Sequence, residues 1–153
     1  MKIIEKAITG KEEQNSSNSE EYGALLEFYK AFNGQDLELM EKNWFNDAEI
    51  AMDNPLGGIK RGWDALSEVY TRIFYGKAEV YVEFYDYHII QMEDAFCAVG
   101  RERGRVSVGE KSVDLRIRTS RVFKKVEGLY KQVHHHGSIE SPELLGAYQG
   151  LLK

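Results

Sequence analysis

Apolar residues in the first half of the chain recur with the 3.6-residue period of an α-helix. The first such run follows the spacing i, i+3, i+4, i+7 and consists of Leu25, Phe28, Tyr29 and Phe32. Ser17 and Glu20 precede it at the spacing of a capping box, which predicts a helix start at Ser17. Residues 37–45 form a second, shorter candidate helix, and a third apolar stripe ends at Gly76.

The period changes to two in the second half of the chain, which is typical of β-strands. Four long runs rich in β-branched and aromatic residues follow the third stripe, at residues 78–90, 95–108, 112–125 and 128–138. The connections between them are short, which favours an antiparallel meander. A shorter strand is expected at residues 48–52, before a turn cluster at 53–58. Ser141 and Pro142, as N-cap and first helical residue, predict a closing helix.

The order of these elements predicts an α+β fold. The apolar stripes of the helices need a cover, and one face of a curved sheet offers it. We therefore expect a strongly curved antiparallel sheet that wraps around the N-terminal helices. Residues 10–21 read GKEEQNSSNSEE and show no apolar period. For this reason we expect residues 1–18 to be a mobile N-terminal extension and residues 19–153 to be a single domain.

Composition narrows the classes of function. The chain has 153 residues, 42% of them hydrophobic, and a formal net charge of −5, so nucleic-acid binding is not expected. Cys97 is the only cysteine, which excludes an internal disulfide and a structural zinc site built on cysteines. No apolar run reaches the roughly 18 residues of a membrane span. The first residues lack the features of a signal peptide, so a cytoplasmic protein is expected.

Strand alternation places two arginines toward the helices. On the run 112–125 we expect the apolar face to point inward, and this face carries Leu115, Ile117, Thr119, Arg121 and Phe123. If Cys97 and Val99 point inward on the run 95–108, Arg101 follows them. A buried guanidinium needs a partner, so these arginines either pair with acidic side chains or line a cavity that holds water or a ligand.

Three consecutive histidines lie in the last strand, within the sequence YKQVHHHGS. Alternation separates His134 and His136, which share a face with Gln132, from His135 on the other face. Hydrophobicity does not choose between these two faces. We expect Gln132, His134 and His136 to point inward, beside the two arginines, because these polar groups can then satisfy one another. His135 is expected to point away from the helices.

Four segments of the chain resemble the SnoaL-like branch of the nuclear transport factor 2-like superfamily. They are NPLGGIKRGWDAL (54–66), VGRERG (99–104), RTSRVF (118–123) and YKQVHHHGSI (130–139). The closing strand of that family typically reads aromatic-x-apolar-x-His-x-His-x-Ser, which aligns with Tyr130, Gln132, His134, His136 and Ser138. Tyr130 stands where the family has Trp, and Gln132 stands where it has an apolar residue, which implies a more polar pocket.

The resemblance implies a cone-shaped sheet with a pocket at its wide end and, often, a homodimer formed through the outer sheet face. RTSRVF also resembles the association domain of calcium/calmodulin-dependent protein kinase II, whose matching arginines, at Arg101 and Arg121 here, line a deep pocket. No single reaction is implied. The fold hosts ketosteroid isomerase, polyketide cyclases, dehydratases and many proteins that are not enzymes.

The candidate charged residues each have a functional and a structural interpretation. Arg101 and Arg121 would bind a carboxylate, phosphate or enolate oxygen through bidentate donors, or would simply form ion pairs. His134 and His136 are candidate acid–base catalysts with Asp53 as a partner, or hydrogen-bonding histidines of the scaffold. As metal ligands, two histidines about 7 Å apart on a strand need further ligands, and no motif supplies them.

The candidate ligand-binding set is completed by Gln132, Tyr130, Trp63 and Asn54. Trp63 is otherwise a core residue, and Asn54 and Asp53 otherwise form a turn. Three hypotheses follow. The first is a homodimeric protein that binds a small polar or acidic organic ligand without a cofactor or metal. The second is a cofactor-independent isomerase, dehydratase or cyclase that uses a pocket histidine. The third is an association module without a ligand.

Overall fold

The computed structural model describes residues 1–152, in which four helices lie beside one curved, unclosed six-stranded sheet. In chain order the elements are α1 (Glu20–Asn33), α2 (Leu37–Asn43), β1 (Ala51–Asp53), β2 (Ile59–Arg61), α3 (Trp63–Tyr75), β3 (Glu79–Gln91), β4 (Ala95–Val108), β5 (Lys111–Val126), β6 (Leu129–Ile139) and α4 (Pro142–Leu151). This arrangement confirms the predicted α+β fold. None of the helices in the described chain is long and apolar enough to cross a membrane.

The strands are ordered β2-β1-β6-β5-β4-β3 in the sheet. β3, β4, β5 and β6 pair as the predicted antiparallel meander. β1 begins at Ala51 rather than at residue 48, and it pairs parallel to β6. β2 was not predicted. It has only three residues and directly follows a glycine-rich turn, so it shows too little alternation to indicate a strand. The two short strands thus extend the sheet beyond the β6 edge of the meander.

The observed helix ends lie within two residues of the ends predicted from the sequence. Ser19, not Ser17, is the N-cap of α1, and its side chain accepts a hydrogen bond from the backbone N–H of Tyr22 at 3.1 Å. Ser141 is the N-cap of α4, as predicted, and accepts from the N–H of Leu144 at 3.1 Å. Gly76 ends α3, also as predicted.

The N-terminal residues pack against β3 in this structure. The N–H groups of Ile4 and Ile8 donate to the carbonyl oxygens of Tyr87 and Phe84, at 2.7 and 2.8 Å, and thereby cover part of the β3 edge. Ile8 is only 1% exposed and belongs to the core. These contacts tie the start of the segment 1–18 to the domain, while mobility of residues 10–18 stays a prediction.

The inner face of β4 is the opposite of the one that we predicted. Phe96, Ala98, Glu102 and Val106 are buried, whereas Arg101 is exposed on the outer face. Gly104 lies on the inner face, where a Cβ atom would overlap the carbonyl oxygen of Tyr81. Glycine at this position therefore allows β3 and β4 to approach closely.

A β-bulge in β6 separates Gln132 from the histidines. Val122 of β5 pairs with His134, but the next residue, Phe123, pairs with Gln132, so Val133 is the extra residue. Gln132 therefore points inward, as predicted, and beyond the bulge the alternation is inverted. His135 is 5% exposed, whereas the side chain of His136 is 54% exposed. The predicted inward direction of His134 and His136 was wrong.

Candidate functional site

A buried ion pair lies at the centre of the inner sheet face. Arg121 of β5 donates to Glu102 of β4, with Nη2 and Oε2 3.2 Å apart. Glu102 also accepts hydrogen bonds from the hydroxyls of Tyr29, at 2.8 Å, and Thr119, at 2.9 Å. Burial raises the pKa of Tyr29 well above its ordinary value, so its hydroxyl stays protonated and can donate. Three donors thus hold the Glu102 carboxylate in place.

The other two nitrogens of Arg121 also donate hydrogen bonds. Nη1 donates to Gln132 Oε1 at 2.9 Å, and Nε donates to the hydroxyl oxygen of Tyr29 at 3.3 Å. The guanidinium carbon lies 3.6 Å from the centroid of the Phe28 ring, where the π-face attracts positive charge. Gln132 in turn donates to Asn43 Oδ1 at 3.1 Å, which links the network to α2. Each nitrogen of Arg121 thus donates one hydrogen bond within the protein, which supports its ion-pairing interpretation over that of an open clamp.

A small cavity of about 60 Å³ borders this network. Its walls are mostly apolar, and they consist of Phe28, Phe32, Met52, Pro55, Leu56, Val69, Ile73, Val80, Val82, Leu115 and Ile117. The polar groups at its surface are Asn54, Tyr70, Glu102, Arg121, His135 and Tyr148. Pockets for drug-sized ligands usually measure about 300–1,000 Å³, so this space admits only a few non-hydrogen atoms unless side chains move.

His135 is the polar group of the cavity that lacks partners. Its side chain is buried beside Arg121, which is its register partner on β5. Neither Nδ1 nor Nε2 is hydrogen-bonded to any group in residues 1–152. Burial lowers the pKa of His135 well below its ordinary value, and the charge of Arg121 acts in the same direction. The ring is therefore neutral near pH 7, with one nitrogen that can donate and one that can accept.

Two tyrosine hydroxyls complete the polar surface of the cavity. Burial raises the pKa of Tyr70 and of Tyr148 to about 12, so both stay protonated. Tyr70 donates to the Met52 sulfur at 3.7 Å, a weak acceptor. Tyr148 belongs to α4, and Gln149 of the same helix donates to the Leu56 carbonyl oxygen at 3.1 Å. α4 and the turn at 54–58 thus lie side by side over the cavity.

Three of the predicted site residues lie at this inner site. Arg121 and Gln132 belong to the buried network, as described above, and Asn54 lines the cavity. The Asn54 side chain also accepts from the N–H of Leu56 at 2.9 Å, so the structure supports its turn-forming interpretation as well.

The other predicted site residues lie elsewhere. Arg101 pairs with Asp86 and Glu140 on the outer face. His134 Nδ1 lies 2.9 Å from the Ala51 carbonyl oxygen, and His136 Nδ1 lies 2.7 Å from Asp53 Oδ2. The remaining two lie away from the cavity: Tyr130, whose hydroxyl donates to Glu21 at 3.1 Å, and Trp63, which packs half-buried on the core.

Sequence reasoning missed Glu102, His135 and Tyr148 as cavity residues. A signal for Glu102 was present, because arginines at 101, 103 and 105 alternate as they do on a solvated strand face, which puts Glu102 inside. No local signal marks His135, since the bulge arises from pairing between strands. Within residues 1–152, no group of three or more His, Cys, Asp and Glu side chains is arranged to hold a metal ion.

Comparison with known families identifies a matching domain model. The model, described as a SnoaL-like domain, matches residues 23–142. These residues include β1 to β6, most of α1, and every polar residue of the cavity surface except Tyr148. Among curated proteins, none matches this sequence.

Several solved structures share the fold at low sequence identity. A candidate dehydratase of the NTF2-like family from Streptomyces avermitilis is 20% identical with a TM-score of 0.70, and the match covers 80% of this chain and 94% of that chain. A ketosteroid isomerase-like protein from Erwinia carotovora atroseptica is 17% identical with a TM-score of 0.69, covering 84% and 100%. A candidate calcium/calmodulin-dependent protein kinase type II association domain from Thiobacillus denitrificans is 22% identical with a TM-score of 0.64, covering 78% and 94%.

Proposed function

This chain belongs to the SnoaL-like domain family, and we propose that it binds a small, uncharged organic molecule in the cavity beside His135. The observation that carries the proposal is a buried imidazole with no hydrogen-bond partner in residues 1–152, facing a mostly apolar cavity. Leaving a buried polar group unpaired costs about 1–3 kcal/mol, and a bound polar group would remove that cost.

The charges around the cavity favour a neutral ligand over an acidic one. Arg121 is the cation that the sequence suggested as an anion clamp, but Glu102 neutralises its charge and each of its nitrogens already donates one hydrogen bond. His135 is neutral near pH 7 because burial lowers its pKa. A carboxylate would lose its hydration without gaining a free positive charge, which is strongly unfavourable. We therefore replace the acidic ligand of the sequence hypothesis with an uncharged one.

The walls suggest the shape of the ligand. An apolar body would lie against residues such as Phe32, Val80 and Ile117, and one oxygen function, a carbonyl or hydroxyl, would meet the His135 ring. The hydroxyls of Tyr70 and Tyr148 are within the same lining and could bind the same oxygen. Ordered water is the alternative partner for His135, because buried polar sites of this size also hold water.

Cyclopentanone is a suitable probe, with cyclopentanecarboxylate as its charged counterpart. We expect the ketone to shift the ring signals of His135 in NMR spectra and to saturate, while the carboxylate does not bind. Replacing His135 by Leu should weaken ketone binding about threefold to tenfold, the value of a neutral hydrogen bond. His134→Leu, one residue away and hydrogen-bonded to a backbone carbonyl outside the cavity, is the matched control.

Equal ketone affinity in the His135→Leu and wild-type proteins would contradict the proposal. Tighter binding of the carboxylate would restore the acidic ligand of the sequence hypothesis. Failure of both compounds to bind, with the protein folded, would indicate that ordered water is the hydrogen-bond partner of His135.

A second candidate function is proton transfer of the isomerase or dehydratase type. It rests on the position of His135, whose ring lines the cavity without a hydrogen-bond partner and has a nitrogen able to accept a proton from carbon beside a carbonyl group. The test is exchange of the α-hydrogens of cyclopentanone in D₂O, followed by proton NMR. Catalysed exchange that is lost in His135→Leu would support an enzyme. Exchange at the uncatalysed rate would support ligand binding without catalysis.

We also infer a homodimer through the outer sheet face. An apolar row crosses three strands there, formed by the register partners Ile90, Cys97 and Val122. Three of the similar solved structures are candidate association domains of a protein kinase, which supports self-association in this fold. Sedimentation at micromolar concentration should give a dimer mass, reduced to a monomer mass by Val122→Glu. A monomer mass in the wild-type protein would refute it.

A further inference from the structure

A second polar cluster lies on the outer face of β5 and β6, on the opposite side of the sheet from the cavity. Arg118 pairs with Ser138 in the sheet register, and Ser120 pairs with His136. These four residues, named here the outer cluster, occupy alternate positions on two adjacent strands and therefore share one face. They line one depression of about 570 Å³.

Arg118 supplies the outer cluster with a positive charge that has no ion-pair partner in residues 1–152. Its register partner on β4 is Arg101, and like charges directly opposite each other destabilise a sheet. Arg101 is paired with Asp86 and Glu140, whereas Arg118 forms no ion pair within residues 1–152. A local arrangement that costs stability without an evident structural gain is typical of a functional site.

His136 is held in a defined orientation beside Arg118. Its Nδ1 lies 2.7 Å from Asp53 Oδ2, and Asp53 is its register partner on β1. Nδ1 therefore carries the proton that is donated to the carboxylate. Nε2 makes no hydrogen bond to the described chain, and in the tautomer that donates from Nδ1 it is an acceptor. The hydroxyls of Ser120 and Ser138 have no described partner either. Ser120 lies opposite His136 on β5, and Ser138 lies two residues farther along β6.

We propose that the outer cluster binds a phosphoryl group. The guanidinium of Arg118 offers two parallel donors, which match two oxygens of a phosphate. The two serine hydroxyls can donate to further phosphate oxygens, and His136 Nε2 can accept from a protonated one, because all four side chains line one depression on the same face. A carboxylate has only two oxygens and would leave part of this donor set unpaired. Free phosphate and a phosphate monoester share the same chemistry.

The site lies beside the apolar row proposed for the dimer, on the same outer face, and on the opposite face of the sheet from the cavity. Cys97 and Val122 form one row of the outer face, Val99 and Ser120 form the next, and Arg101 and Arg118 form the one after that. The cavity lies on the inner face, where His135 points. Loss of phosphate binding and loss of ketone binding are therefore expected from different substitutions.

Titration with inorganic phosphate, followed through the ring signals of His136 and by calorimetry, tests the proposal. We expect saturable binding that Arg118→Gln and His136→Gln each weaken by at least about tenfold, as expected for a lost charge-assisted hydrogen bond. Arg116→Gln is the matched control, because Arg116 lies two residues away on the same face of β5 and outside the depression. It should change the affinity by less than about twofold.

The outcomes separate the sources of the phosphoryl group. Glycerol phosphate binding more tightly than inorganic phosphate would indicate a monoester ligand, and equal or weaker binding would indicate free phosphate. His135→Leu should leave phosphate binding unchanged. The proposal is overturned if phosphate does not saturate, if Arg116→Gln weakens binding as much as Arg118→Gln, or if acetate binds as tightly as phosphate.

Discussion

Arg121 and Arg101 occupy neighbouring strands but opposite faces of the sheet. The Arg121 side chain is 2% exposed and is bonded to Glu102, Gln132 and Tyr29. The Arg101 side chain is 46% exposed and is bonded to Asp86 and Glu140. Both arginines were candidate ligand clamps in the sequence, and both turn out to have acidic partners. The two ion pairs differ in their surroundings, because the partners of Arg121 are in the protein interior and those of Arg101 are at the solvent-exposed surface.

The comparison shows how burial determines the energetic role of an ion pair. Charges in solvent are screened, so a surface pair contributes little to stability. A buried pair is strongly coupled, and removal of one partner leaves an uncompensated charge in a medium of low polarity. Arg121 therefore stabilises the inner face only together with its partners, and the group that remains available to a ligand there is His135.

The largest effect is expected from breaking the inner pair. Arg121→Ala should lower the free energy of unfolding by about 3–5 kcal/mol, because Glu102 is left buried without a counter-charge. Urea denaturation followed by circular dichroism measures the loss.

The double variant Arg121→Met with Glu102→Leu is the control for this prediction. It removes both charges, so it should be more stable than Arg121→Ala. A double variant as unstable as the single one would attribute the loss to packing around Phe28 and not to the unpaired carboxylate.

An intermediate effect is expected from pH, through His135. Its pKa is lowered in the folded state, so the unfolded chain binds more protons when the pH falls below the ordinary histidine value of about 6.5. The stabilisation is complete above that pH and decreases as the pH falls toward the folded-state pKa, by at most about 1.4 kcal/mol per pH unit.

Melting temperatures of wild-type and His135→Gln proteins, recorded from about pH 7.5 to about pH 5, measure this contribution. This range spans the ordinary histidine pKa of about 6.5. The wild-type protein should lose more stability on acidification than the variant, and His134→Gln should behave as wild type. Parallel pH curves for wild type and His135→Gln would show that the ring does not control the slope.

The smallest effect is expected on the outer face. Arg101→Ala removes a guanidinium that is well exposed, so the urea midpoint should stay within the error of the wild-type value. A clear decrease would show that Asp86, which has φ +48° in the β3 bulge, depends on Arg101 to keep its conformation.

Much of the fold follows from local pattern. The helical stripes place α1 and α3, the period of two places β3 to β6, and Ser141 with Pro142 places the start of α4. On β5 the apolar alternation also places Arg121 inside, as the structure confirms. These features depend on residues that are close in sequence, and local propensity and burial act on them in the same direction.

The tertiary structure alone decided which histidine faces the cavity. The bulge at Val133 inverts the alternation of β6 after Gln132, so one strand presents Gln132 and His135 inward and His136 outward. A bulge depends on pairing with the neighbouring strand and on the bend of the whole sheet, and the local sequence predicts neither of them. The sequence by itself determined the helices, the four long strands, the α+β class and the inward face of β5. The contacts between strands determined the candidate site, because side-chain direction in a sheet is inverted by a single extra residue.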